Sequence, residues 1–329
     1  MQLGKIPISL LNKTVLRMTG SRSRALLTGP RAGVDFAAIR VRGGFMIVSS
    51  DPVTGVASDI GSYAVSVSAN DVATSGNPPQ FIGSVVLLAE GSTPRDLRVI
   101  ASDMDRTARK LGIAIVGGHT EVTPGLKRPI VAVTAFSFVK RFVSSELAKD
   151  GDAIVMTKTA GLEGTSVLAY EASRIGERLP AALVASSKKL EKKISIVPEA
   201  VRAFRTGYVH AMHDCTEGGV LGAAYEMSLA SGLGFELWER KVPVARETRE
   251  MCQALSLDPL KLIGSGSLLI AVPPRRVGSL QRALREVAPA AEVGRFTKAG
   301  RHLLAEDGRR RRITAAPVDE LWGTLSRSG

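Results

Sequence analysis

The chain is expected to fold as an α/β (α+β) protein in two halves, and three observations predict this. Short apolar strands alternate with amphipathic helices as far as Val139, the sequence turns polar from Val143 to Gly151, and a second mixed run of strands and helices follows. A length of 329 residues favours two cores over one, which places the domains at 1–147 and 148–329. The 44% hydrophobic content and mean hydropathy of +0.10 suit a globular chain.

The first half opens its periodic pattern with "GFMIVSSD", an apolar strand ending in an acid. Ile60, Ala64 and Val67 then recur at spacings of four and three, the stripe of a helix over residues 59–75 that Gly76 and Pro78 close. "QFIGSVVLLAE" predicts a strand, and "TPRDLRVIASDMDRTARKLG" a helix with Pro94 in its first turn and Gly112 at its end. "IAIVGGHTEVTPG" predicts a strand running into a glycine turn, and "RPIVAVTAFSFV" a further strand. This β-α-β-α-β-β order suits a mostly antiparallel or mixed sheet with helices on one face. In the second half "AIVMTK" is a strand, "EGTSVLAYEASRIGERL" and "PEAVRAFRTG" are helices, and "MHDCTEGGVLGAAYEMSLASG" leads into another. "GSLLIAVP" predicts a strand, "RRVGSLQRALREVA" a helix, and a final strand pair ends the pattern.

Composition excludes several functions. Cys215 and Cys252 are too few for a disulfide framework or zinc cluster, and the four histidines show no HExxH-type spacing, which argues against a structural transition-metal site. No apolar run approaches the roughly 20 residues of a membrane span. The N-terminal stretch lacks an apolar region followed by a small-residue cleavage site, so a soluble cytoplasmic protein is expected. The net charge of +13 first suggests nucleic acid. Only 5% of residues are aromatic and no nucleic-acid motif is present, so the charge reads as a solvated basic face, with "GRRRR" (Gly308 to Arg312) its densest run.

The distribution of charge is more informative than its sum. From Gly43 to Pro94 there is no Lys or Arg across 52 residues, where average usage would give about seven. The same window holds Asp51, Asp59, Asp71 and Glu90. A region without ammonium groups and stocked with carboxylates suits a divalent cation, since nearby cations would compete for its ligands. Asp71 is the sharpest anomaly: it continues the apolar stripe of its helix, where a carboxylate is costly unless paired, protonated or metal-bound.

Four acidic or glycine-rich elements gather the candidates. "GPRAGVDFAAI" delivers Asp35 to the start of a strand. "SSDPVTG" puts Asp51 at a strand end, in a turn opened by Pro52. "SANDVATSGNPP" carries Asn70 and Asp71, and "MHDCTEGGVLGAA" carries Asp214 and Thr216 before a glycine pair. Singly, an Asp before a turn is an ordinary cap. Gly218 and Gly219 before a helix make either a phosphate cradle or a tight turn. There is no GxxxxGK[ST], no GxGxxG after a strand and no kinase signature, so any nucleotide is bound by another design.

Together, in order and spacing, "GVDFAAI", "SSDPVTG", "ANDVATSGNPP", "GGHTEVTPG" and "HDCTEGGV" resemble the AIR synthetase-related (PurM-like) superfamily. "VPVARETREMCQALSLDPLKLIGSGSLLIAVPP" looks like its hydrogenase maturation (HypE) branch. The resemblance implies a ferredoxin-like N-terminal domain that dimerises through its sheet, an α+β C-terminal domain, and a triphosphate cleft between them. It implies ATP and Mg²⁺ as cofactors and phosphoryl transfer to a small-molecule substrate. Carried over by position, Asp35, Asp51, Asp71 and Asp214 are metal-site carboxylates, with Asp71 and Asp214 catalytic. Asn70 supports the site, Gly117, Gly118, His119 and Thr120 shape its wall, and Asp35, Gly218 and Gly219 contact the nucleotide. Two departures matter. His119 stands where the hydrogenase and thiamine branches carry Asp, and "LWGTLSRSG" offers no cysteine where the hydrogenase branch carries its substrate. Cys215, beside Asp214, is the conceivable substitute nucleophile. The alternative implied is a non-catalytic nucleotide-binding paralogue that serves as a maturation or assembly partner.

Overall fold

The computed structural model describes residues 3–54, 59–175 and 179–326. In the first half, helix α1 (Ile8–Leu11) precedes strands β1 (Leu26–Thr28), β2 (Ala37–Val41) and β3 (Gly44–Val53). Helix α2 (Ile60–Ala73), β4 (Phe81–Leu88), α3 (Pro94–Leu111), β5 (Ala114–Val122) and β6 (Ile130–Val139) complete it. The second half runs β7 (Ala153–Thr157), α4 (Leu162–Tyr170), α5 (Ala172–Ile175), α6 (Ala181–Lys188), α7 (Val197–Arg205) and β8 (Ala211–Asp214). It continues α8 (Gly219–Ser231), β9 (Gly234–Trp238), α9 (Arg246–Leu255), β10 (Leu268–Val272) and α10 (Val277–Leu284). Strands β11 (Ala290–Thr297), β12 (Arg301–Leu304) and β13 (Arg310–Arg312), then α11 (Glu320–Ser326), end the described chain.

Each half is built on one mixed sheet, ordered β1-β2-β3-β6-β4-β5 in the first and β13-β12-β9-β11-β7-β10-β8 in the second. Among the described strands only β4/β5 and β9/β12 pair in parallel. Helix α2 lies on β3 and β6, and α3 packs on α2. The capping box of Thr93 with Asp96 starts α3, and left-handed Gly112 stops it, as the sequence predicts. One apolar core runs from Ile47, Ala64, Val72 and Val133 in the first half to Ile196, Met212 and Leu268 in the second. The halves are therefore packed together, and the cleft between them has firm walls.

Several elements differ from expectation. Strand β3 does not end at Asp51 but continues through Pro52 to Val53 along β6. Strand β2 has already ended opposite Val48, so Pro52 has no hydrogen-bonding neighbour on that side and costs the sheet nothing. The glycine pair Gly117-Gly118 makes no turn: β5 continues through it after a register shift at Val116, and a Cβ at Gly118 would collide with the Ser84 backbone of β4. The long helix expected from "EGTSVLAYEASRIGERL" breaks at Glu171 (φ −91°, ψ 8°), and residues 176–178 of it lie outside the described residues. Helix α6 and the third terminal strand carry too little periodic signal to be foreseen. Among the described residues no helix is long and apolar enough to cross a membrane. The "GRRRR" run forms the exposed strand β13, where Asp307 and Glu236 pair with Arg309, Arg311 and Arg310.

Candidate active site

Four elements bring carboxylates to one cleft of about 670 Å³ between the halves. The loop before β2 delivers Asp35, β3 delivers Asp51, the last turns of α2 deliver Asp71, and β8 ends in Asp214. Asp71 is the residue at which the apolar stripe of α2 meets the cleft. It is 7% exposed, and Ser49 on β3 donates its hydroxyl to Asp71 Oδ2 at 2.7 Å. Asp214 is fully buried, and neither of its oxygens has a hydrogen-bond partner; Asp35 Oδ2 is unpartnered as well. Buried polar atoms are normally satisfied, so three orphaned carboxylate oxygens in one cleft ask for an absent group.

The electrostatics agree. Burial first, and then Asp51, Asp214 and Asp35, push the Asp71 carboxyl well up. Burial and the Asp35 charge do the same to Asp214. Asp35 is pushed up to about 6 by burial, with His213 pulling back and Glu226 adding to the rise. His213 is the cation within this acidic group. Its Nε2 lies 3.1 Å from Asp35 Oδ1 and 3.4 Å from Glu226 Oε2, and its Nδ1 lies 2.7 Å from the Asp214 carbonyl. Burial opposes its charge, but Asp35, Glu226 and Asp214 outweigh it and hold the imidazolium up to about 9. Behind it, Lys5 Nζ pairs with Glu226 at 2.6 Å. Burial would raise Glu226, yet Lys5 and His213 carry it down to about 2. Asp35, His213 and Asp214 place one ligand atom each within 4.8 Å of one another.

Other expected residues lie elsewhere. Asn70, next to Asp71, does not face the cleft. Its side-chain amide donates to Ile194 O and its carbonyl accepts from Ile196 N, both at 2.8 Å, so it ties α2 to the second half. Gly117, Gly118, His119 and Thr120 lie on β5, the outer strand of the first sheet, separated from Asp51 by β6 and β4. His119 is exposed there and pairs with Glu121 at 3.0 Å. Within one chain these four residues are not part of the cleft. Gly218 and Gly219 form a tight turn rather than a phosphate cradle. The Gly218 N–H is taken by Asp319 Oδ2 at 2.7 Å and the Gly219 N–H by Thr216 O. Gly219 sits at φ +62°, and a Cβ there would come within 2.6 Å of Leu260 O. The Cys215 thiol is fully buried and burial pushes it well up, which leaves it protonated and poor as a nucleophile.

With this geometry in place, two family models match the chain. The model described as AIR synthase related protein, N-terminal domain, matches residues 33–139, and its C-terminal counterpart matches 149–304. Carbamoyl dehydratase HypE of Rhodobacter capsulatus is 30% identical over 251 residues, covering 74% of this chain and 72% of its own. The chain belongs to the AIR synthase-related family. The putative hydrogenase expression/formation protein MJ0676 of Methanocaldococcus jannaschii is 28% identical over 268 residues, 80% of this chain and 77% of its own. Among solved structures, hydrogenase maturation protein HypE in complex with ATP superposes with a TM-score of 0.73 at 23% identity, covering 98% of both chains. The two-domain PurM-like fold expected from the sequence is thus the fold observed.

For an AIR synthase-related protein, sequence reading missed four cleft residues. His213 carries no spacing signal along the chain, because its partners Asp35 and Glu226 come from other elements. Lys5 and Glu226 look like ordinary surface charges in sequence. Glu163, in the first turn of α4, reads as a favourable helix N-terminal acid. It is nevertheless 8% exposed, lines the cleft, and leaves Oε2 without a partner.

Proposed function

We propose that this protein is an ATP- and Mg²⁺-dependent phosphoryl-transfer enzyme acting on a small-molecule substrate. The observation that carries this reading is Asp214, whose two buried oxygens are unpartnered beside Asp35, opposite Asp51 and Asp71 from the other half. An all-oxygen set of this kind fits a hard divalent cation, and the raised carboxyls release their protons when such an ion binds. Asp35, Asp51, Asp71 and Asp214 would hold Mg²⁺, which when bound screens the charge of the transferring phosphates. Ser49 fixes the orientation of Asp71, while Lys5 and Glu226 hold His213 as a donor at the rim of the aspartate group. The reading treats 1–147 and 148–329 as domains that grip the nucleotide between them.

The reading includes a homodimer. All nine residues of β5 are exposed, and Val85 on β4 and Phe138 on β6 leave apolar side chains on the outer face of the first sheet uncovered. An open edge and face of this kind is what a second copy covers. Such a copy is also the route by which His119 and Thr120 would reach a cleft.

Calorimetric titration with ATP, with and without Mg²⁺, tests the function on wild type and Asp71→Ala. Binding that needs Mg²⁺ and is lost in the variant is expected; a wild type that binds no ATP removes the reading.

A further inference from the structure

A second part of the cleft wall has different chemistry. Glu163 projects there from α4, with Val167 one turn later on the same helix. Ile263, Ser265, Leu321 and Trp322 complete the wall. Glu163 Oε2 is buried there without a hydrogen-bond partner. The Trp322 indole Nε1–H is likewise buried without a partner. The other acids here are already engaged. Asp319 accepts from the Gly218 and Leu321 N–H groups at 2.7 and 2.8 Å, and Glu217 accepts from the Lys5 N–H at 2.7 Å. The cations among the described lining residues, Lys5, Arg31 and the His213 imidazolium, are all paired, with Glu226, Glu146 and Asp35.

We propose that this part of the wall is a binding site for a small neutral or cationic organic molecule, an alcohol or amine with an apolar body, whose donor hydrogen is taken by Glu163 Oε2. Three features support it. A single free carboxyl oxygen among apolar side chains is a poor metal site but a good acceptor for one N–H or O–H. The neighbouring Glu217 and Asp319, with no unpaired cation among the described lining residues, repel carboxylates and phosphate esters. The unpartnered indole N–H can donate to the oxygen of a bound alcohol, and the apolar walls bury the body of either ligand. Burial pushes Glu163 up to about 7, with Ser265 opposing the rise and Asp319 and Glu217 adding to it. The proposal rests on the phosphoryl-transfer reading only in making this molecule the phosphoryl acceptor; the site itself stands without nucleotide.

The test needs no nucleotide and no activity. The chain has two tryptophans, Trp238 and Trp322, so indole-¹⁵N labelling gives a two-peak proton–nitrogen spectrum that Trp322→Phe assigns. Four probes share one ring and differ in head group: benzylamine, benzyl alcohol, benzoate and phenyl phosphate. The amine and the alcohol are expected to move the Trp322 peak and leave Trp238 in place, while the two anions move neither. Glu163→Ala is expected to weaken benzylamine about tenfold or more, the loss of one charge-assisted hydrogen bond. An unchanged Trp238 peak reports that the variant is folded. A Trp322 peak unmoved by all four probes overturns the site, and so does equal response to the anions in wild type, which requires no variant. Equal benzylamine affinity in Glu163→Ala removes the role of Glu163. Failure of Mg²⁺-dependent ATP binding with these shifts intact would overturn the enzymatic reading and leave the site standing.

Discussion

Two parts of the cleft wall are both acidic, yet they ask for opposite things. In one, Asp35, Asp71 and Asp214 crowd together, repel one another and leave three oxygens unpartnered around a buried imidazolium. In the other, Glu217 and Asp319 are tied to backbone N–H groups and one oxygen of Glu163 remains free among apolar side chains. The count of acids is therefore a poor guide to a site. What decides is how many oxygens are left over and whether they converge. Several leftover oxygens call for a cation; one calls for a hydrogen-bond donor.

The strongest way to break this contrast is to remove an acid where the oxygens converge. Asp214→Asn is expected to weaken Mg²⁺-dependent ATP binding by about a thousandfold (~4 kcal/mol), while raising the melting temperature of the metal-free protein at pH 8, because a buried repelling charge is gone. Calorimetry and thermal melts measure the two effects, and loss of stability with unchanged binding would reverse the assignment.

Neighbouring residues sharpen it next. Asn70→Ala should cost about 3 kcal/mol in urea unfolding, because it strands Ile194 O and Ile196 N. Lys158 grips the same segment from the other side, bonding Lys193 O, Ser195 O and Gly266 O at 2.7 to 2.9 Å and pairing with Glu199 at 2.6 Å. Asn70→Ala should leave the intrinsic affinity of the folded protein for ATP nearly unchanged, in contrast to Asp71→Ala one residue on.

In the Glu163 part of the cleft wall, pH is the probe. The folded pKa of Glu163, about 7, lies above the ordinary 4.5. The preference for its protonated form is thus fully present below about pH 4.5 and lost as pH rises through 7. Relative to wild type, Glu163→Gln should gain up to ~3 kcal/mol between pH 4.5 and pH 8, read from paired urea melts. A difference that stays flat with pH would show that Glu163 is not buried as described.

The smallest effect is expected outside the cleft. His119→Ala, on exposed β5, should change monomer stability by less than about 0.5 kcal/mol. An effect on the association state, followed by sedimentation, would tie this strand to the proposed second copy.

How much of this was legible in sequence can be read from single residues. Asp71 was visible because it interrupts an apolar period, and the cation-free stretch around it was a second, independent sign. Asp35, Asp51 and Asp214 became visible through the order of motifs, and the structure places all four in one cleft. Asn70 misled because its partners are backbone groups of a segment more than a hundred residues away, which no local pattern announces. Gly218 and Gly219 misled because a glycine pair before a helix looks alike whether its N–H groups are free or already bonded to a distant Asp319. His213 and Glu163 stayed hidden since burial, not spacing, gives them their character. The fold was easier to read than the site: strand and helix periods are local, whereas a leftover oxygen is defined only after every other group has found its partner.

The most direct measurement for the central claim is a Mn²⁺ titration followed by electron paramagnetic resonance, with a non-hydrolysable ATP analogue, on wild type and Asp214→Asn. The account predicts bound Mn²⁺ in wild type, displaced by Mg²⁺, and free Mn²⁺ in the variant at the same concentrations. Bound Mn²⁺ that is indifferent to Asp214→Asn, or none bound in wild type, would contradict it.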